Sequence, residues 1–311
     1  MKLHQNKQLF KNIIDLTAAK ENILPEVVEK DYYVVLALKL LYEYDNRIIF
    51  IGGTALSKCF NIIKRFSEDI DFCVEKDTRK QGQKLTHKII GEIKSKWSWS
   101  VDDDNEIYKD FKVLFLNYGE KSLNFDYSML ENRIKLELIT FIDPFPILNK
   151  KIAPYIMKYM TKEEIEKYDI NEVNVKTQEP YRTLFEKVML QKELYYDYLE
   201  KQEKEDDQIR RARDFYDIHK IWLYYENKFP FDKTEMFKML ESRNKNKKDK
   251  IQFNQNNINE YTLYDIYLQR NIRKQLEDTD RTKLTIRDLN CDEIEISLKE
   301  IDAILLTFTE K

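Results

Sequence analysis

Apolar residues at helical spacing predict two helices at the start of the chain. The first spans Gln8 to Ala19, and the second spans Glu26 to Tyr44. Pro25 stands just before the second pattern, in a first-turn position that proline favours. A further helix is predicted over residues 86–93. The first half of the chain is therefore predicted to contain at least three helices.

Strand patterns lie between and after these helices. The apolar run from Arg47 to Ile51 predicts a buried strand, and the segments Phe111 to Leu116 and Arg133 to Ile139 alternate apolar and polar residues. A shorter alternation runs through residues 69–72. Strands mixed with helices predict an α+β fold for the first half of the chain.

Helical patterns dominate from about Ile152 onward, so the sequence predicts a domain change near residue 150, with units 1–150 and 151–311. Two polar segments, Arg243 to Lys250 and Glu277 to Lys283, are predicted to be exposed loops. The predicted helices are Tyr181 to Glu200, Gln208 to Tyr225, Asp232 to Glu241, Ile258 to Leu276 and Leu298 to Phe308.

Two of the five glycines stand side by side at Gly52 and Gly53, directly after the strand pattern that ends at Ile51. A helix-compatible run from Thr54 to Lys64 follows. A strand that passes through paired glycines into a helix leaves backbone N–H groups free to face an anion. The sequence therefore predicts a phosphate-binding turn here.

Two carboxylates follow this turn on a short strand pattern. Asp69 and Asp71 alternate with Ile70 and Phe72. Alternation places both carboxylates on one face, about 7 Å apart along the strand, with the apolar side chains on the core face. Paired carboxylates beside a phosphate-binding turn are typical of sites that hold Mg²⁺ against a nucleoside triphosphate.

Composition sets limits on the class of protein. Hydrophobic residues make up 42% and charged residues 35% of the 311 residues, which is typical of a soluble globular protein. No apolar run is long enough to span a bilayer, and the start lacks a signal-peptide core, so we expect no membrane association. Three cysteines without metal-ligand spacing favour a reducing cytoplasm. A net charge of −3 means that any nucleic-acid contact needs local basic patches.

The glycine pair and the Asp-X-Asp pair together resemble polymerase-beta-like nucleotidyltransferases, which add a third carboxylate on a nearby strand. Glu137 is the best candidate for it; the alternative is that this strand face, which Lys135 shares, is simply solvated. The resemblance implies a mixed sheet flanked by helices, an NTP substrate and two Mg²⁺ ions held by Asp69, Asp71 and Glu137.

Further residues near the turn are candidates for nucleotide binding. Gly53 and Thr54 would contact phosphates through backbone N–H groups, with the Thr54 hydroxyl as an extra donor. Lys58 would face the triphosphate or be an ordinary exposed lysine, and Arg65 lies close by in sequence. Ser67 would orient the carboxylate pair or cap the turn.

A second group of charged residues lies in the helical half. Lys187 falls on an inward helix face, and the next helix carries Asp214 and Asp217 on one face. One interpretation is an interhelical salt bridge that holds this half together. The other is that Lys187 contacts nucleotide phosphates while Asp214 positions the acceptor or acts as a base.

Taken in order, these motifs resemble the AbiEii-type nucleotidyltransferases, the toxin halves of type IV toxin–antitoxin and abortive-infection systems. The resemblance covers most of the chain up to about Tyr225. It runs through Val28-Glu29-Lys30-Asp31-Tyr32, Gly52 to Leu56, Arg65 to Phe72, Lys135 to Leu138, Lys187 and Arg213 to Ile218.

The resemblance implies that Lys187 and Asp214 are active-site residues, which the sequence pattern alone does not establish. It also implies a role in phage defence and transfer of a nucleotide to a cellular acceptor, in some members tRNA. A separately encoded antitoxin would neutralise the protein. RNA phosphates would meet Arg210, Arg211, Arg213 and the segment Arg243 to Lys250, unless these are solvated charges.

Two other hypotheses stay open at this point. The acceptor of the nucleotide would be a protein or a small molecule, or the chain would be a non-catalytic NTP-binding module. The presence of both Asp69 and Asp71 argues against the second, because paired carboxylates without a metal repel each other.

Overall fold

The computed structural model describes most of the chain in segments. They are residues 2–67, 69–74, 84, 87, 88, 91, 92, 95, 99–102, 107, 108, 111–118, 133–139, 143–201, 208–246, 251–281 and 288–309. The helix predicted over 86–93 falls largely outside these residues, as does Glu68. No helix in the described part of the chain combines the length and the apolar character needed to cross a membrane.

The chain forms two compact units. The first contains residues 1–60, 67–140 and 147–177, and the second contains residues 61–66, 141–146 and 178–311. The first unit thus continues to Thr177, beyond the domain change predicted near residue 150, and two short segments within that range, 61–66 and 141–146, belong to the second unit. The domain limits of 1–150 and 151–311 stay a prediction.

The first unit is a mixed sheet with helices, as the α+β prediction expected. Its helices are α1 (Lys7–Glu21), α2 (Pro25–Tyr44), α3 (Gly52–Phe60) and α4 (Lys162–Tyr168), with 3₁₀ turns at Leu3–Gln5 and Tyr155–Tyr159. Its strands are β1 (Ile48–Ile51), β2 (Ile70–Val74), β3 (Ser100–Asp102), β4 (Ile107–Tyr108), β5 (Phe111–Asn117), β6 (Arg133–Ile139), β7 (Ile147–Ile152) and β8 (Val173–Gln178).

The strand order places β2 in the middle of the sheet. The order is β3-β5-β6-β2-β1-β8-β7, and β4 pairs with β5 outside this path. Strand β2 runs antiparallel to β1 and parallel to β6. Each of these neighbours therefore brings its own residues alongside β2, which carries Asp71.

The core of the first unit lies between the sheet and the first two helices. Ile70 and Phe72 of β2 are fully buried, as are Ile134 and Leu136 of β6. Aromatic rings close one end of this core, where the ring centroids of Tyr33 in α2 and Tyr118 lie 4.0 Å apart in a stacked pair. This burial fixes which face of β2 and β6 is left for polar residues.

The second unit is helical. Its helices are α5 (Pro180–Lys201), α6 (Gln208–Tyr224), α7 (Lys233–Asn246), α8 (Leu263–Gln269), α9 (Ile272–Arg281) and α10 (Cys291–Thr309). Their apolar faces meet around fully buried side chains such as Trp222, Phe215 and Met236. The prediction of a C-terminal helical region is confirmed.

Several element predictions need correction. The helix expected over Ile258 to Leu276 is wrong, because the chain breaks at Asn271, whose φ of 52° is left-handed and ends α8 before α9 begins. The loop expected over Glu277 to Lys283 is helical as far as Arg281, in α9. Strands β7 and β8 lie where mainly helical structure was expected.

Candidate functional site

Gly52 begins α3 directly after β1 and packs against Asp71. Its φ of 77° lies in the left-handed region, which glycine enters without a Cβ penalty. A Cβ at this position would lie 2.0 Å from Asp71 Oδ2 and 2.8 Å from its Cγ. Only glycine therefore allows the Asp71 carboxylate to rest against the first turn of α3.

The two aspartates lie on the face that the alternation predicted. Asp69 and Asp71 are partly exposed, whereas Ile70 and Phe72 are fully buried. Thr54, in the first turn of α3, is buried, and its hydroxyl donates a hydrogen bond of 2.5 Å to the Asp69 carbonyl oxygen. This hydroxyl, predicted as an extra phosphate donor, instead fastens the start of β2 to α3. Phosphate binding by the backbone N–H of Thr54 stays a prediction.

Glu137 lies beside Asp71 on the neighbouring strand. The two are register partners in the parallel pair of β2 and β6, whose strands run about 4.8 Å apart. The Glu137 carboxylate forms an ion pair with Lys135 on the same face, and the two side chains are 17% and 15% exposed. This strand face is therefore mostly buried and ion-paired rather than freely solvated, and the role of Glu137 as a third carboxylate stays a prediction.

The donor set of this face suits a hard cation. Asp69, Asp71 and Glu137 offer carboxylate oxygens alone, which are the ligands that Mg²⁺ prefers. Among the described residues, no three His, Cys, Asp or Glu side chains are grouped so that they hold a metal ion together, and Glu137 is occupied by Lys135. The carboxylate donors are therefore of the kind that Mg²⁺ prefers, while the metal site of Asp69, Asp71 and Glu137 stays a prediction.

The Lys58 side chain is buried, and its ammonium group is paired with a carboxylate. Its side chain is 7% exposed, and its ammonium nitrogen lies 2.6 Å from Asp31 Oδ1 and 4.2 Å from the centroid of the Tyr155 ring. The other oxygen of Asp31 accepts a 2.8 Å hydrogen bond from the Tyr155 backbone N–H. The interpretation of Lys58 as a solvent-exposed helix lysine is wrong, and Asp31 links α2 to the helix that begins at Gly52.

The second unit contains a buried charged group, here called the lysine–aspartate cluster, made of Arg65, Lys187, Asp214 and Asp217. Lys187 in α5 pairs with Asp214 in α6, and its ammonium nitrogen lies 3.1 Å from Asp217 Oδ2. Asp214 also accepts a 2.9 Å hydrogen bond from Gln191 Nε2. The predicted interhelical salt bridge is therefore present, and the catalytic interpretation of Lys187 and Asp214 stays a prediction.

Arg65 completes this cluster through a two-pronged contact with Asp217. Its Nε and Nη2 atoms lie 2.7 and 2.6 Å from the two carboxylate oxygens, and the Asp217 side chain is fully buried. Such bidentate pairs are the strongest protein ion pairs. The guanidinium predicted to bind nucleotide is thus committed to a carboxylate.

The charges of the cluster hold each other ionised. Burial alone would raise the pKa of Asp217, but Arg65 and Lys187 hold it below its usual value. Burial alone would likewise lower the pKa of Lys187, but Asp214 and Asp217 keep it above the ordinary lysine value. Lys187 is therefore a permanent cation at neutral pH, suited to binding an anion rather than to accepting a proton.

The remaining candidates have mixed outcomes. Ser67 is half-buried just before Asp69, and both of its interpretations stay predictions. Arg243 does not lie in an exposed loop: it is in α7, buried, and paired with Glu193 and Glu186 of α5. Burial lowers the pKa of Arg243 to about 9. The side chains of Arg210 and Arg211 and residues 247–250 lie outside the described part.

Sequence reasoning did not assign a role to Asp31 or to the pairing of Arg65 with Asp217. A signal for the second existed, because Asp217 shares a helix face with Ile221, four positions later, and an inward carboxylate needs a cation. No such signal identified the partner, since Arg65 is 152 positions away in sequence.

Comparisons with known proteins bear on this site. A family model described as "Nucleotidyl transferase AbiEii toxin, Type IV TA system" matches residues 38–294. No curated protein sequence matches the chain. Among solved structures, the crystal structure of JHP933 from Helicobacter pylori is similar, with 16% identity, a TM-score of 0.43, and coverage of 92% of this chain and 93% of that chain.

Proposed function

We propose that this chain, which belongs to the AbiEii family of nucleotidyltransferase toxins of type IV toxin–antitoxin systems, transfers a nucleoside monophosphate from an NTP to tRNA. The observation that carries the proposal is the contact of Gly52 with Asp71. It sets a carboxylate against the first turn of a helix, where a phosphate-binding N-terminus and a metal ligand are both needed.

The residues of α3 supply the phosphate contacts. The first N–H groups of a helix have no partner within it, and the helix dipole favours negative charge there. Gly52, Gly53 and Thr54 would therefore bind the triphosphate through backbone N–H groups. The Thr54 hydroxyl keeps Asp69 in place during this binding.

A divalent ion belongs to the proposal, held by Asp69 and Asp71 and joined by Glu137. When bound, Mg²⁺ neutralises the triphosphate and favours the attack of the acceptor hydroxyl and the departure of pyrophosphate. The chain itself would hold Asp71 in position for the metal, because β2 is paired with β1 and β6 and the Asp71 carboxylate packs against Gly52.

Lys187 and Asp214 have the remaining catalytic roles in this proposal. Lys187 is a permanent cation and would bind a phosphate group of the nucleotide, which releases Asp214 from its ion pair. Asp214, with 16% of its side chain exposed, would then orient the acceptor hydroxyl or take its proton. Asp217 would stay paired with Arg65, so its buried negative charge would remain compensated.

Lys58 and Arg65 serve the site indirectly. Both cations are committed to buried carboxylates, Lys58 to Asp31 and Arg65 to Asp217. We assign them positioning roles: Lys58 holds α3, which presents the diglycine turn, and Arg65 holds the segment that leads into β2. As a member of a toxin–antitoxin family, the protein would be neutralised by a cognate antitoxin encoded nearby.

The test is nucleotide transfer in vitro. The protein is incubated with Mg²⁺, tRNA and each NTP labelled at the α-phosphate, and label in the RNA is measured. Asp71→Asn should abolish the transfer, whereas Asp15→Asn, a control at an exposed aspartate of α1, should leave it unchanged. No label in tRNA, or equal transfer by Asp71→Asn, contradicts the proposal.

Two further arms separate the alternatives. Lysate protein or an aminoglycoside in place of tRNA tests a protein or small-molecule acceptor under the same conditions. Calorimetry with NTP and Mg²⁺ tests for a non-catalytic module, which would bind the nucleotide without releasing pyrophosphate.

A further inference from the structure

A polar cavity of about 330 Å³ lies within the second unit among α5, α8 and α9. Its lining includes Tyr198, Gln269, Arg270, Lys274, Gln275 and Asp278. The volume is at the lower end of the range for small-molecule sites, which is the size of one nucleotide rather than of a folded partner. None of the roles described above uses these residues.

The cavity lining combines an aromatic and a cationic side chain, Tyr198 and Arg270. Tyr198 is 40% exposed although its ring is large and apolar. The guanidinium carbon of Arg270 lies 4.8 Å from the centroid of that ring. The Tyr195 ring is also a stacked neighbour of Tyr198, with the ring centroids 6.3 Å apart. The Arg270 guanidinium and the exposed part of the Tyr198 ring are the planar groups on which a nucleobase would stack.

The other lining groups match the rest of a nucleotide. Gln269 carries a side-chain amide whose Nε2 group can donate to a base edge while its Oε1 accepts from Tyr195. Arg270 and Lys274 together outweigh Asp278, so the cavity has one net positive charge for a phosphate. A site with an aromatic face, an amide and a cation fits a base and its phosphate better than it fits an apolar ligand.

The wall residues are held in place before any ligand arrives. The Tyr195 hydroxyl donates to Gln269 Oε1, which links α5 to the end of α8. Gln275 Nε2 donates a 2.8 Å hydrogen bond to the Arg270 carbonyl oxygen, which fastens the break between α8 and α9. A preformed site loses less conformational entropy on binding than a mobile one.

We propose that this cavity binds one nucleotide of a single-stranded nucleic acid, with the base on Tyr198 and the phosphate beside Arg270 and Lys274. Binding at this cavity does not depend on the transfer reaction. A role in holding the RNA acceptor rests on the proposed function, which supplies the reason for RNA rather than DNA.

The experiment measures binding by fluorescence anisotropy with the full-length chain, in EDTA and without NTP. The probes are fluorescein-labelled single-stranded RNA of mixed sequence, DNA of the same sequence, and a fluorescent nucleoside monophosphate. Tyr198→Leu should weaken RNA binding about tenfold, because the base loses its stacking partner. Tyr224→Leu, at a tyrosine that is 50% exposed in α6, is the matched control and should bind as the wild type does.

Salt dependence separates a phosphate contact from a general loss of structure. Lys274→Gln should weaken binding and reduce the slope of log affinity against log salt by about 0.7, as expected for one phosphate of a single strand. Lys238→Gln, at an exposed lysine of α7, should leave the slope unchanged.

The outcomes divide cleanly. Weaker RNA binding by Tyr198→Leu and Lys274→Gln, with both controls unaffected, supports the cavity even where transfer to tRNA fails. Equal binding by all variants overturns it, even where transfer succeeds. An effect on the free monophosphate alone also overturns the assignment to a strand. If transfer does occur, Tyr198→Leu should raise the KM for the RNA and leave kcat unchanged.

Discussion

Gly52→Ala tests the contact on which the proposed site depends. The new Cβ would lie 2.0 Å from Asp71 Oδ2, so the carboxylate has to retreat by more than about 1 Å to reach ordinary van der Waals distance. A displacement of this size at a catalytic group costs on the order of a hundredfold in rate. We therefore expect about a hundredfold slower nucleotide transfer.

The same substitution has a modest cost in stability. An alanine at a φ of 77° loses about 1–2 kcal/mol relative to glycine, which is a fraction of the 5–15 kcal/mol typical of a folded protein. The variant should thus remain folded in circular dichroism at the assay temperature while its initial rate of label transfer falls. The rate loss then reports on Asp71 and not on unfolding.

Gly91→Ala is the matched control, because a Cβ there meets no atom within 4 Å and its φ is not in the left-handed region. It should transfer the nucleotide at the wild-type rate. Wild-type transfer by Gly52→Ala would refute the reasoning, as would a rate loss that disappears when the assay is run at a temperature where both proteins are equally folded.

Three further predictions concern buried charges and are read from urea unfolding. Asp217→Asn removes the fully buried carboxylate that pairs with Arg65 and Lys187, so it should lower the free energy of unfolding by about 3–5 kcal/mol. Asp214→Asn, at a partly exposed side chain, should lower it by less, and equal losses in the two variants would contradict this. Asp31→Asn leaves the buried Lys58 ammonium without its carboxylate and should lower the free energy of unfolding by a similar amount. The double variant Asp31→Asn with Lys58→Met should recover part of this free energy. Burial lowers the pKa of His219 to about 4 from 6.5, so the unfolded chain binds a proton that the folded chain does not, and stability should fall by about 3 kcal/mol as the pH drops from 6.5 to 4. His219→Gln should flatten that part of the pH curve, and an unchanged curve would contradict the assignment.

Local pattern was enough to predict the elements that carry the diglycine site. The apolar run before Gly52 and the alternation around Asp71 each depend on neighbours in sequence, and both appear as β1, α3 and β2. Strand β8 also had such a signal, since Val173, Val175 and Thr177 alternate with more polar residues. Its pairing with β1 depends on a contact distant in sequence.

What sequence could not supply is the identity of partners across long separations. The helix of Lys58, Gly52–Phe60, contains no acidic residue, and only the approach of Asp31 makes Lys58 a buried cation. Arg243 stands in a stretch rich in lysine and asparagine that is typical of loops, yet it is buried because its charge is compensated by Glu193 and Glu186 of α5. The break at Asn271 is likewise set by one backbone angle rather than by hydrophobic periodicity.

The interleaved path of the chain restricts how this protein can change over generations. Residues 61–66 are folded with the later part of the chain, where Arg65 meets Asp217, although β2 follows immediately in the earlier unit. A recombination event that exchanged everything after Thr177 would place Arg65 of the original chain against a helix from the other parent, in place of the one that carries Asp217. Unless the new helix brought a carboxylate to the same place, the hybrid would carry an uncompensated charge, so the two parts have to be inherited together.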